Sequence, residues 1–432
     1  MLALSGGGSR AAALGLSILD QLAALSYSDG SHQVPLIDRV KVVSAVSGGS
    51  VTAAWFGLVG PKHMDELRNK FLSKDNMSTL VWTAADPITW ARLIFGGYAR
   101  VDALRDLLDA RLFHGQTFAA LDRPNAPLVM LNATDMGSGE VFAFTPQRFD
   151  DICSNLDVLP ISVGVAASAA FPVALSPLTL KSYAGRTCKG AIPAAPWIHA
   201  DLSLVGPRYL NLEEFKLARY ANALRHGPNA YRRIDYLHLL DGGLADNQGI
   251  HSLYDAIFSL HGPIKILNAI NTGRVKRIVV IAVNARSDPD NHLSEDPATP
   301  GLLSVINAVT GIPIDQTTAY ANASLQLLVD TLNQAGADAK RAAGNPRFGG
   351  LKVYGIPIDF DQFTKNETAL RDRVKSIGTS WTLSSKDLSD TMKAGKMLLD
   401  QHPCFQRLLL DLGIHAGFVN ASYAHNYCKL SP

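Results

Sequence analysis

The chain has 432 residues, 47% of them hydrophobic and 18% charged, with a formal net charge of +2. Such a chain buries a sizeable core, and its low charge argues against extensive disorder. The even charge balance points away from nucleic acid, and no zinc-finger, P-loop or basic-repeat pattern is present.

Residues 2–4 read as a strand that ends in Ser5-Gly6-Gly7-Gly8-Ser9-Arg10. A helix follows, with Leu14, Ile18, Leu22 and Leu25 on one face. Three glycines between a strand and a helix expose backbone N–H groups beside a positive helix end, which suits an anion. One candidate is a cofactor pyrophosphate, because residues 6–11 satisfy G-x-G-x-x-G/A. The other is the oxyanion formed when a serine attacks an ester. A dinucleotide needs an acid about 20 positions on, at the end of the second strand. Asp20 comes too early and that strand ends at Val46-Ser47, so no cofactor is expected.

Residues 41–46 are rich in β-branched side chains and read as a buried strand. The strand breaks at Ser47-Gly48-Gly49 and resumes as a small-residue helix. A serine at such a turn is a nucleophile elbow, its hydroxyl pushed clear of the sheet. The frame Ala45-Val46-Ser47-Gly48-Gly49 departs from G-x-S-x-G only at Ala45. A glycine-rich turn with an incidental serine is the plainer alternative.

Helices are expected over 65–72 and 101–112, and strands over 127–131 and 141–144, joined by a turn-rich hairpin. The charge-free run 161–180 holds Pro172 and Pro177 and reads as a helix, core and loop rather than a membrane span. Residues 181–233 carry nine Lys/Arg against three Asp/Glu, with Trp197, Tyr209, Phe215, Tyr220 and Tyr231 among them. As an insertion over 181–236 they could form a lid or a surface for anionic lipid, or a merely solvated excursion. Residues 236–240 then read as a strand ending in Asp241-Gly242-Gly243. Further strands are expected at 277–283 and 351–358, and helices at 303–332 (broken at Gly311-Ile312-Pro313), 385–401 and 404–412. Strands alternating with helices imply an α/β layered fold.

Cys153, Cys188, Cys404 and Cys428 have no C-x-x-C spacing, so no metal site is expected. Two disulfides in an exported protein or four buried thiols in a cytosolic one both fit. No secretory signal precedes the first strand, and the abrupt start suggests a missing upstream segment.

Three reactive positions thus stand at strand ends: the glycine turn, Ser47 and Asp241. Together, Gly6-Gly7-Gly8-Ser9-Arg10, Ser47-Gly48-Gly49-Ser50 and Asp241-Gly242-Gly243 resemble the patatin-like phospholipases. Ala133-Thr134-Asp135 with Gly139-Glu140, the run Ala167-Ser168-Ala169-Ala170-Phe171-Pro172, and Ile377-Gly378-Thr379-Ser380 add to the likeness. It is close over 1–285 and weaker beyond. The resemblance implies a three-layer α/β/α sandwich with a mostly parallel central sheet, a single domain over 1–432 with a helical C-terminal part from about 300. It also implies a Ser47–Asp241 dyad that hydrolyses acyl esters of lipids without histidine or metal. Ser47 would carry the acyl group, and Asp241 would take its proton and later activate water. The N–H groups of Gly6, Gly7, Gly8 and Gly48 would bind the oxyanion. Arg10 stands where the family has a basic residue, to orient the loop or meet a phosphate; a helix-surface arginine is the alternative. The expected partners are lipid esters at a membrane or micelle surface, with no nucleic acid and no obligate protein partner. An exported or membrane-associated bacterial protein fits this reading.

Two rivals stand beside it. An α/β-hydrolase-type esterase would need a late histidine, with His402, His415 or His425 as candidates. A non-catalytic lipid-binding protein would keep the surface and lose the chemistry.

Overall fold

The computed structural model describes residues 1–86, 97–172, 174–184, 210–227, 233–253, 275–287, 297, 299, 301–343, 351–428 and 430. In chain order the strands are β1 (Leu2–Leu4), β2 (Ser26–Asp29), β3 (His32–Pro35), β4 (Val42–Val46) and β5 (Leu128–Asp135). There follow β6 (Val141–Phe144), β7 (Leu178–Lys181), β8 (Tyr236–Asp241), β9 (Arg277–Asn284) and β10 (Lys352–Asp359). Eight of them form one sheet in the order β10-β9-β1-β4-β5-β8-β7, with β6 also on β5, while β2 and β3 make a separate hairpin. The run from β10 to β5 is parallel; β6, β7 and β8 pair antiparallel.

The helices that frame the site are α1 (Gly8–Ala24), α2 (Gly48–Val59), α3 (Asn76–Ala85) and α4 (Ile161–Ser168). Later come α5 (Leu210–His226), α6 (Leu302–Ala343), α7 (Ser385–Gln401) and α8 (Pro403–Asp411). Side chains alternate across the parallel strands, so each strand feeds two cores. Leu2, Leu4, Val43, Ala45, Ile281 and Val283 join α1, α2 and α7 in one core. Ala3, Val280 and Ala282 join Leu325, Leu328, Val329 and Leu332 of α6 in the other. Strands covered on both faces need this double apolar character, and the result is the expected α/β/α sandwich.

The expected break at Gly311-Ile312-Pro313 does not occur: α6 runs unbroken with Pro313 inside it. An internal proline costs about 3 kcal/mol. The turn beyond it is held at the sheet, where the Asn247 side chain donates to Thr318 Oγ1 at 3.0 Å and Ile314 lies beside Gly243. Four apolar side chains of the same helix are buried further on, at about 1.5–3 kcal/mol each. Packing outweighs the local penalty. Among the described residues no helix is long and apolar enough to cross a membrane.

The insertion expected over 181–236 leaves and returns on one ladder, because Lys181 of β7 pairs with Tyr236 of β8. Within it, α5 is tied down by Tyr220, which donates to Asp135 at 3.1 Å, and by Arg225, which donates to Asp151 at 2.6 Å. Trp197, Tyr209, Tyr231 and Arg232 lie outside the described residues. Of the two cysteine readings, four thiols is overturned: Cys404 bonds Cys428, and Cys153 is also disulfide-bonded. Cys188 lies outside the described residues.

Candidate active site

Strand β5 brings the two candidate residues, Ser47 and Asp241, together. Leu131 pairs with Ala45 of β4 and with Phe144 of β6, so those strands occupy opposite edges of β5. Ala133 pairs with Phe142 of β6 and Asp241 of β8, so β8 lies on the edge that β4 has just left. Strand β4 climbs that edge to Val46, opposite Asn132, while β8 descends it to Asp241, opposite Ala133. The tips of the two strands meet head-on. Ser47 therefore faces Asp241.

Ser47 adopts φ 51° and ψ −120°, a backbone state that non-glycine residues rarely hold. Its N–H donates to the Ser168 hydroxyl at 2.9 Å, and its carbonyl accepts from the Ser50 N–H at 3.0 Å. Gly48 opens α2, and a β-carbon there would fall onto the carbonyl of Gly8. The elbow and the glycine turn are thus pressed backbone to backbone. Ala45 sits buried in ordinary extended strand, so the elbow tolerates its missing glycine.

Asp241 is held from all sides. Its N–H donates to the Ala170 carbonyl at 3.0 Å, and its carbonyl accepts from the Thr134 hydroxyl at 2.8 Å. The carboxylate accepts the Gly243 N–H at 2.8 Å. Burial pushes its pKa up to about 6, against the opposing pull of the Gly243 N–H and the Ser47 hydroxyl. Ser47 is 6% exposed and Asp241 5%. A carboxylate so placed is charged at neutral pH and poised to take a proton.

In the glycine turn Gly7 and Gly8 have φ of 134° and 59°, which aims their amides away from an ordinary helix start. The Gly6 N–H donates to the Asn247 carbonyl at 3.0 Å and is therefore spoken for. That removes Gly6 from the four expected oxyanion donors. Among the described residues no hydrogen bond occupies the N–H of Gly7, Gly8 or Gly48. The Ser9 N–H donates to the Ser380 carbonyl at 2.8 Å.

Arg10 is no surface residue. It is 2% exposed, and its guanidinium donates to the Ala285 carbonyl at 2.9 Å and to the Ile377 carbonyl. Burial lowers its pKa to about 10, which leaves it charged. Ala11, where the family often has glycine, is accommodated in the first turn of α1, its N–H directed to Gly7 at 3.4 Å.

The candidate triad histidines are elsewhere. His402 accepts the Cys404 N–H as the cap of α8 at 3.2 Å, and burial lowers its pKa to about 4. His425 contacts the Ala421 carbonyl, and His415 is exposed. Among the described residues no histidine hydrogen-bonds Ser47 or Asp241.

Sequence reasoning gave no role to Ser168, Asn132 or Asn247. Asn132 is a buried polar residue in an apolar strand; its amide donates to Ser44 Oγ at 2.8 Å and accepts from Ser252 Oγ at 2.7 Å. That asparagine, the first polar residue of β5 after four apolar ones, was the available signal. Ile377 and Ser380 drew notice only as part of a likeness, and they turn out to brace the glycine turn.

The sheet, the strained serine and the buried aspartate define an α/β fold with a serine–aspartate site. The chain belongs to the patatin-like phospholipase family, whose model matches residues 2–254. Among solved structures it is similar to human GIVD cytosolic phospholipase A2, at 12% identity and a TM-score of 0.46. That match covers 95% of this chain and 62% of the other, so the chain spans less than two thirds of that protein. No curated protein matches the chain in sequence.

Proposed function

We propose that the chain hydrolyses carboxylic esters of lipids, with Ser47 as nucleophile and Asp241 as base. The observation that carries this reading is the buried Asp241 carboxyl, pushed up to about 6, facing the hydroxyl of a serine in a strained elbow. As Ser47 Oγ attacks the ester carbonyl, Asp241 takes its proton, and the oxyanion lies against the N–H groups of Gly7, Gly8 and Gly48. The starts of α1 and α2 add two positive helix ends there. Collapse breaks the ester bond: the alcohol leaves with the proton from Asp241, and the acyl group stays on Ser47. Asp241 then takes a proton from the attacking water and returns it to Ser47 Oγ as the acyl–serine bond breaks, which releases the fatty acid and restores the serine. Arg10 keeps the glycine turn in shape by tying it to Ala285 and Ile377.

The substrate comes from a lipid surface in this reading. Helix α3 contains no charged residue and exposes Met77, Val81 and Trp82, the last 75% exposed. It borders the site, since the Asn76 amide donates to the Trp381 carbonyl at 2.9 Å, one residue past Ser380. A surface helix with exposed tryptophan and no charge suits the headgroup region of a membrane or micelle. The excess of Lys and Arg over residues 181–233 favours phospholipid over neutral fat in this reading.

The test is p-nitrophenyl ester hydrolysis by wild type, Ser47→Ala and Asp241→Ala, each checked for folding by circular dichroism. Loss of turnover in both folded variants is expected. Full activity in Ser47→Ala overturns the proposal.

A further inference from the structure

Ser168 is the last residue of α4 and is fully buried. Its hydroxyl accepts the N–H of Ser47 at 2.9 Å and donates to the Asn132 carbonyl at 2.6 Å. Since its single proton goes to Asn132, the 2.8 Å contact with Ser50 Oγ is a bond that Ser50 donates. All the hydrogen-bonding capacity of the hydroxyl is thereby used. The backbone of the same residue turns the other way: its carbonyl accepts the Gly242 N–H at 3.0 Å, next to Asp241. Ser168 therefore touches both halves of the dyad, the elbow through its side chain and the base loop through its backbone.

We infer that Ser168 is a positioning residue that sets the distance between the Ser47 hydroxyl and the Asp241 carboxylate; the inference rests on the dyad proposed above. The elbow has no side-chain cap of its own, and the Ser47 amide finds its acceptor only here among the described residues. Without that acceptor the elbow relaxes from its strained φ and ψ. The Ser47 hydroxyl then withdraws from Asp241, and the hydrogen bond that lowers the Asp241 pKa weakens. Ser168 is fully buried and so does not itself meet the substrate, which leaves KM little changed.

The experiment is a pH–rate profile with a soluble p-nitrophenyl ester for wild type, Ser47→Ala, Ser168→Ala and Ser168→Thr. Ser168→Ala is expected to lose about 100-fold in kcat, the usual cost of a misplaced reacting group, with KM within about twofold. Its acid limb moves to higher pH than the wild type's, and Ser168→Thr, which keeps the hydroxyl, moves kcat and limb back. A merely structural role would not shift the limb. If the alanine variant does not fold, Ser168→Cys carries the same test with a poor acceptor of similar size. An unmoved limb, or a KM that rises in step with the loss, overturns the inference while an inactive Ser47→Ala leaves the dyad standing. Activity retained in Ser47→Ala would instead sink the dyad itself.

Discussion

Replacing Asp241 by asparagine should abolish turnover and stabilise the protein, with the gain confined to one side of a pH boundary. The carboxyl is buried, and its pKa rises from 3.8 to about 6 on folding. Two units correspond to about 3 kcal/mol of preference for the protonated form. A raised carboxyl contributes stability that is fully present below its unfolded pKa and is lost as pH rises through its folded one. Wild type thus carries a penalty of up to about 3 kcal/mol above pH 6 or so, and none near pH 3.5. Asparagine keeps an oxygen for the Gly243 N–H without the charge, but it cannot accept a proton. At about 2.1 cal/mol/K per residue, unfolding entropy for a chain of this length is roughly 0.9 kcal/mol/K. The variant should therefore melt about 3 °C above wild type at pH 8, with the difference closing as the pH falls. Scanning calorimetry of both proteins from pH 4 to 8.5, alongside ester hydrolysis, provides the measurement. A variant less stable than wild type at pH 8, or a difference indifferent to pH, would refute the buried-charge argument.

Gly48→Ala should cost about 3 kcal/mol and most of the activity, because its new methyl group lands on the Gly8 carbonyl; denaturant unfolding reads the first and ester turnover the second. Trp82→Ser should lower hydrolysis of phospholipid vesicles about tenfold and leave soluble esters alone; an equal loss on both would tie Trp82 to the fold instead of the lipid surface. His402→Ala should lose about 1 kcal/mol with the cap of α8 and keep its turnover at pH 7.5, whereas an inactive folded variant would revive the triad. Replacing Cys404 and Cys428 together by alanine opens a link across 24 positions and should cost about 3 kcal/mol in denaturant unfolding with activity intact.

The parts of this fold that a reader of the sequence can find are those whose causes are local. A glycine turn after Leu4, a serine after Val46 and a glycine pair after Asp241 each advertise a strand end within a few residues. What joins them is not local. Nothing in the neighbourhood of residue 236 reveals that β8 runs against β5 and meets β4 tip to tip, because that depends on which edge of β5 stands free. Arg10 could be read as a surface residue for the same reason: its partners Ala285 and Ile377 belong to distant parts of the chain. Pro313 misleads in the opposite sense, a strong local signal that long-range packing overrides. The short β7 hid at the border of a polar segment, with only Leu178 and Leu180 to mark it.

The pairing of Lys181 with Tyr236 has an evolutionary consequence. Whatever chain is spliced between those two positions begins and ends at a fixed doorway on β7 and β8, and α5 within it is tied to β5 through Tyr220 and Asp135. Lengthening a flexible loop is inexpensive, about 0.6 kcal/mol for each doubling, so length can be added at this doorway provided that α5 keeps its bonds to Asp135 and Asp151. Selection can rewrite the remainder of this stretch while the serine and the aspartate keep their separation. Grafting a foreign segment beside a retained α5 is the matching engineering move, and the chemistry should survive the exchange.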